Sequence, residues 1–162
     1  MKILYHGSKT SGIKKLKPSL PKALRGSKRL IFATSDRAYA LSMIHGTGDE
    51  LAVMYAVNAD TRKIEMFIDE LEPGKLDLLS QEGYLYEVES KYFKESPEKL
   101  EGEFVSYNPV PVVKENKIDN VLGELKRTGV NLVKYDDVPE SMGKRGRDVQ
   151  KPEIEHPKDR FK

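Results

Sequence analysis

Lys2-Ile3-Leu4-Tyr5-His6-Gly7-Ser8 opens the chain with a short apolar run that stops at a glycine. The run predicts a strand over Lys2 to Tyr5 leading into a turn, which puts His6 at the strand's end. Those residue types also carry chemistry. A glycine lets a ligand approach the main chain, and an imidazole can donate to or accept from a sugar hydroxyl. Tyr5-His6-Gly7-Ser8 also fits a structural histidine beside an ordinary turn.

Working outward, residues 8 to 28 mix Lys, Ser, Gly and Pro around Ile13, Leu16, Leu20 and Leu24. They predict a structured loop with one or two helical turns. Leu30-Ile31-Phe32-Ala33 reads as a second strand, and Thr34-Ser35-Asp36 supplies oxygens to cap a helix from Arg37 to Ile44, stopped by Gly46. Leu51 to Asn58 and Lys63 to Ile68 read as a hairpin across Asn58-Ala59-Asp60. Tyr84 to Glu89 and Glu103 to Tyr107 are further strands, and Pro109 and Pro111 make Val110 to Lys117 an edge or bent strand. Asp119 caps a predicted helix from Asn120 to Arg127, Gly129 ends it, and Val130 to Tyr135 is extended. From about Glu140 the chain has almost no apolar periodicity, which predicts a basic, poorly ordered tail over residues 140–162 that is expendable from Met142 onward.

Composition narrows the function classes. The 162 residues suit one domain with one core. A net charge of +2 gives no global pull toward nucleic acid. With no cysteine, disulfides, thiolate metal sites and cysteine nucleophiles are excluded, and the reading is of a reducing, cytoplasmic setting. No apolar run approaches the ~20 residues that span a bilayer, and the first residues lack a signal-peptide core. The three histidines, His6, His45 and His156, make no metal site; His45 suits a helix C-terminus, where positive charge is favoured.

Three segments resemble, in the same order, the marker segments of the ADP-ribosyltransferase superfamily, in its diphtheria-toxin-like branch with the poly(ADP-ribose) polymerases and the small rifampin-modifying enzymes. The resemblance covers roughly residues 3 to 118. Leu4-Tyr5-His6-Gly7-Ser8 is similar to the family's His-Gly-[Ser/Thr] segment, which implies that His6 binds the adenosine ribose and the Gly7 backbone pairs with the nicotinamide amide. Leu30-Ile31-Phe32-Ala33-Thr34, followed by Tyr39, resembles the second strand and its nicotinamide-stacking aromatics. The family places an aromatic where this chain has Ile31, so Tyr39 is the stacking candidate and Phe32 is expected to be core. Glu103-Phe104-Val105-Ser106-Tyr107 is similar to the Glu-Tyr-x-x-Tyr strand that brings the catalytic glutamate. A carboxylate fixed beside the ribose stabilises the positive charge that develops as nicotinamide departs. Glu103 is the residue of the right type, with Glu101, Glu95 and Glu89 as fallbacks. Lys22, Arg25, Lys28 and Arg29 lie where the family often places a flap, and Arg25 there implies a pyrophosphate contact.

The resemblance implies an α+β single domain over residues 1–139, with split mixed or antiparallel sheets and few short helices. It implies NAD as substrate, no metal, no membrane, and an acceptor the sequence does not identify. The site it implies is Glu103 as catalytic residue, with His6, Gly7, Ser8, Arg25, Thr34 and Tyr39 holding NAD. Two other readings stand beside it: a catalytically silent NAD or nucleotide-binding module, and an RNA 2′-phosphotransferase, which needs several phosphate-binding arginines.

Overall fold

The computed structural model describes residues 1–19, 28–45, 49–96 and 102–145. In chain order its strands and helices are β1 (Ile3–Ser8), β2 (Lys15–Leu16), β3 (Ile31–Thr34), α1 (Arg37–Ser42), β4 (Leu51–Val57), β5 (Ile64–Glu70), β6 (Gly83–Glu89), β7 (Lys94–Glu95), β8 (Glu103–Ser106), β9 (Val110–Pro111), β10 (Lys114–Ile118), α2 (Val121–Arg127), β11 (Asn131–Val133) and α3 (Val138–Lys144). The fold is an α+β single domain with mostly antiparallel sheets and few short helices.

One sheet has six strands in the order β10-β6-β1-β3-β8-β7, a second has three in the order β11-β5-β4, and β2 pairs with β9 in a two-stranded piece. Within the second sheet β11 joins β5 in parallel and β4 joins it antiparallel. Alternation along β1 explains how the six-stranded sheet is buried on both faces. Leu4 points into a cluster with Leu16, Ile31, Ala33, Val88 and Val110. Its neighbour Tyr5 packs on the opposite face, against the larger cluster of Leu41, Ile44, Ile68, Leu85, Val121 and Leu125 that joins α1 and α2 to the second sheet.

Several sequence expectations need correcting. β1 continues through Gly7 to Ser8, paired with Leu85 and Tyr84 of β6, so His6 lies within the strand and not at its end. The glycine marks a close approach, not a turn. A Cβ at Gly7 would lie 2.5 Å from the Ala40 carbonyl oxygen and 2.7 Å from Cγ1 of Ile44, so only glycine lets α1 pack this closely. In the segment read as a loop, β2 forms without helical turns among the described residues, and Ser19 bridges Leu30. Val110 to Lys117 divides into β9 and β10. Asn120, not Asp119, caps α2, its Oδ1 accepting from Gly123 N at 3.0 Å. Gly129 does follow that helix with φ +79°.

The largest correction concerns residues 140–145, read as the start of a poorly ordered tail. They continue α3, and Arg145 beyond it is fully buried. The cause lies in β5, whose residues from Met66 to Glu70 are all buried. Such a strand needs cover on its outer face too. There Phe67, Ala56 and Val133 cluster, with Val138 of α3 packed against them. Arg145 Nη1 donates to Asp69 Oδ2 at 2.9 Å, Nη2 donates to Asp69 Oδ1 and to Ser141 Oγ, and the guanidinium lies 4.2 Å from the Phe67 ring centre. A charged residue with no apolar neighbours in sequence is thus buried by pairing, which no hydrophobic pattern registers. Residues 146–162, and Gly46, lie outside the described residues. No helix among the described residues is long and apolar enough to cross a membrane.

Candidate functional site

The site begins where two strands part. The β1–β3 ladder consists of one pair, Tyr5 with Thr34, although β1 makes six pairs with β6 and β3 makes four with β8. Backbone parity fixes what the gap exposes. Ser90 N donates to Lys2 O, so even residues of β1 face β6 and the N–H and C=O of Tyr5 and Gly7 face β3. Ser35 N donates to Gly102 O, so odd residues of β3 face β8, and the groups of Phe32 and Thr34 face β1. Tyr5 finds Thr34. Gly7 would next meet Phe32, but the Phe32 carbonyl instead accepts from His6 Nδ1 at 2.6 Å. Among the described residues no ladder pair takes up the main-chain groups that Gly7 turns to the gap.

That bond assigns the histidine tautomer. A carbonyl only accepts, so Nδ1 carries the proton and Nε2 is left as the acceptor of the ring. Burial holds the His6 pKa below its ordinary value against the opposing effect of the Phe32 carbonyl, so the ring is neutral near pH 7.

The face of the sheet that meets α1 carries the remaining groups. Directly paired antiparallel residues share a face, so Tyr5, Thr34 and Glu103 form a row across β1, β3 and β8. Above it, Asp36 caps α1 through Oδ1, which accepts from Ala38 N at 2.9 Å and Tyr39 N at 3.4 Å. The Tyr39 hydroxyl is pushed up to about 12, first by burial and then by the Glu103 carboxylate, which places these two side chains near one another. Glu103 itself is raised above the ordinary carboxylate range by burial alone. Among the described residues no ion pair or hydrogen bond engages its carboxylate.

The other sequence candidates fare differently. Ser8 Oγ accepts from Thr10 N at 3.1 Å, and buried Thr34 Oγ1 accepts from Asp36 N at 3.0 Å, so both hydroxyls serve local turns. Phe32, expected in the core, is half-buried and alternates out of the cluster that holds Ile31 and Ala33, onto the face of Thr34. Glu89 pairs with Lys91 at 3.1 Å and sits opposite Ile3, at the far end of β1 from Gly7. Glu95 is exposed, opposite Phe104 and so on the other face from Glu103. Lys22, Arg25 and Glu101 lie outside the described residues. Lys28 stands 5.9 Å from the ring centre of Tyr107, and Arg29 is exposed. Arg37 is engaged with Glu124 at 3.2 Å. His45 follows the end of α1, and burial lowers its pKa, against a bond to the Glu82 carbonyl at 2.9 Å and with a further lowering from Lys9.

Two contributors were missed. Tyr55 of β4 donates from its hydroxyl to Asp36 Oδ2 at 2.6 Å and stacks on Tyr39 with ring centres 6.1 Å apart. Its contact to Asp36 spans 19 residues, and no short-range pattern could have announced it. Phe32 could have been placed by parity once the neighbouring Ile31 was assigned to the core. Two cavities, of about 420 Å³ against α3 and about 310 Å³ beside α2, include none of His6, Gly7, Tyr39 and Glu103.

No protein-family model, no curated protein and no solved structure matches this chain. The chemistry therefore has to be read from the groups themselves. Together they offer main-chain hydrogen-bonding groups at a strand gap, a neutral imidazole acceptor, an aromatic ring, and a half-buried carboxylate with no ion pair among the described residues. Such a set can hold a flat ring bearing an amide and stabilise positive charge that develops beside it.

Proposed function

We propose that the chain is an NAD-dependent ADP-ribosyltransferase. The observation that carries this reading is the opened ladder at Gly7, whose main-chain groups face a gap with Tyr39 and Glu103 on the adjoining face. Gly7 pairs with the nicotinamide carboxamide through its backbone, Tyr39 stacks on the ring, and His6 Nε2 accepts from a ribose hydroxyl. Glu103 stabilises the positive charge on the ribose as the C–N glycosidic bond breaks and its electron pair leaves with neutral nicotinamide. An acceptor nucleophile then bonds to the anomeric carbon and releases its proton to solvent or to Glu103. Among the described residues no cation pairs with Glu103, so none cancels its field at the ribose.

One observation favours a silent NAD-binding module instead. Ile31, standing where the resembling family has an aromatic, is 2 % exposed and packed in the core, so it offers the ligand nothing. Turnover separates the two readings. A ligand that binds only the native state raises its stability by RT ln(1 + [L]/Kd). Millimolar NAD should raise the melting temperature of the wild type and raise that of His6→Ala less. Free nicotinamide in the same samples identifies an enzyme, and a shift without nicotinamide identifies the module.

A further inference from the structure

α1 spans six residues, too few to be stable alone. What fixes it is also what fixes the ring of Tyr39. Asp36 uses both carboxylate oxygens: Oδ1 takes the amides of Ala38 and Tyr39, and Oδ2 takes the Tyr55 hydroxyl at 2.6 Å. Tyr55 then lies against Tyr39 with the two rings 21° from parallel. One carboxylate thereby holds the main chain of Tyr39 and the residue that covers one side of its ring. Tyr39 remains half-buried, so its ring is not wholly enclosed by the protein. Tyr55 comes from β4, in the three-stranded sheet, whereas Gly7 and Glu103 belong to the six-stranded sheet. The stack therefore ties the second sheet to the site.

We infer that Tyr55 and Asp36 are positioning residues that hold the Tyr39 ring for stacking on nicotinamide, and so set how strongly this site prefers NAD over ADP-ribose. The inference rests on the proposed NAD reading. NAD and ADP-ribose share the adenosine, the pyrophosphate and the second ribose, and differ in the nicotinamide. Loosening Tyr39 weakens only the part of the affinity that nicotinamide supplies. A merely structural role for Tyr55 predicts something else, because damage to the fold weakens both ligands alike.

The test is calorimetric titration of NAD and of ADP-ribose, in the cold to limit turnover, on wild type, Tyr55→Phe, Tyr55→Leu, Tyr39→Leu and the double variant Tyr39→Leu/Tyr55→Leu. Tyr55→Leu should weaken NAD about tenfold and ADP-ribose less than about twofold, the scale of one aromatic contact. Tyr55→Phe keeps the stack and loses the bond to Asp36, so it should retain most of the preference. The double variant should lose no more of the preference than Tyr39→Leu, since Tyr55 acts through Tyr39. Equal weakening of both ligands, or an unchanged preference in Tyr55→Leu, overturns the inference while NAD binding stands. A wild type that binds both ligands equally overturns it too, because nicotinamide then makes no contact to position. A wild type that binds neither overturns the NAD reading, and this inference with it.

Discussion

His6 Nδ1 donates to the carbonyl oxygen of Phe32 at 2.6 Å, in the place where a continued ladder would bring the Gly7 amide. The side chain thus holds two diverging strands together while leaving the glycine's main-chain groups turned to the gap. A backbone bond there would have closed the sheet and removed the feature on which the site depends.

Replacing His6 by Ala removes the donor and leaves the Phe32 carbonyl facing the gap. The expected cost is ~1–3 kcal/mol, read as a lowered urea midpoint. A pH series gives a second check. The folded pKa of His6 lies below its ordinary value of 6.5. Below about pH 6.5 the unfolded chain therefore binds the proton first, and His6's contribution is present above that pH and lost as pH falls toward the folded pKa. The stability of wild type minus that of His6→Gln should decline in this window. A flat difference would contradict the lowered pKa.

Gly7 and Gly83 both face Ile44, yet they differ in what can yield. The three atoms nearest an added Cβ at Gly83 all belong to the Ile44 side chain, whereas at Gly7 the nearest is the Ala40 main-chain oxygen at 2.5 Å. Gly7→Ala and Gly83→Ala should each destabilise by ~1–3 kcal/mol, the scale of overpacking. Adding Ile44→Ala should recover much of the Gly83 penalty and little of the Gly7 penalty. Equal recovery in both would mean that α1 is free to move off β1.

Arg145→Ala leaves the 3 %-exposed Asp69 buried without its cation, a loss of the order of 3–5 kcal/mol. Truncation at Met142 should be at least as damaging, since it removes Arg145 and the end of α3. Arg145→Met with Asp69→Asn should restore part of the stability by removing the buried charge altogether. Chemical unfolding of the four proteins decides it. A truncation that unfolds with the wild-type midpoint contradicts the role given to this pair.

What the sequence disclosed follows from the range of the forces involved. The Asp36 cap, the β4–β5 hairpin and the strand at Glu103 rest on local patterns of residues, and each formed with ends shifted by up to two residues. The close approach of Gly7 to Ala40 depends on α1 folding back across the sheet, which a strand-and-turn reading does not contain. Arg145 and Tyr55 were invisible because their partners, Asp69 and Asp36, stand 76 and 19 residues away. Their contacts are polar, and polar pairs leave no period in a sequence.

The central claim rests on Glu103, and its charge has opposite consequences for the fold and for the reaction. Its folded pKa is raised by burial. Its contribution to stability is therefore complete below the ordinary carboxylate pKa and lost as pH rises through the folded value. At pH 7 Glu103→Gln should unfold at a higher temperature than wild type, with the gap closing in acid. The decisive measurement sets nicotinamide release against calorimetric NAD affinity for wild type and Glu103→Gln at pH 7. The account predicts a fall in turnover of ~10²-fold or more with NAD affinity almost unchanged, because the lost interaction belongs to the transition state. A Glu103→Gln protein that releases nicotinamide at the wild-type rate would contradict it.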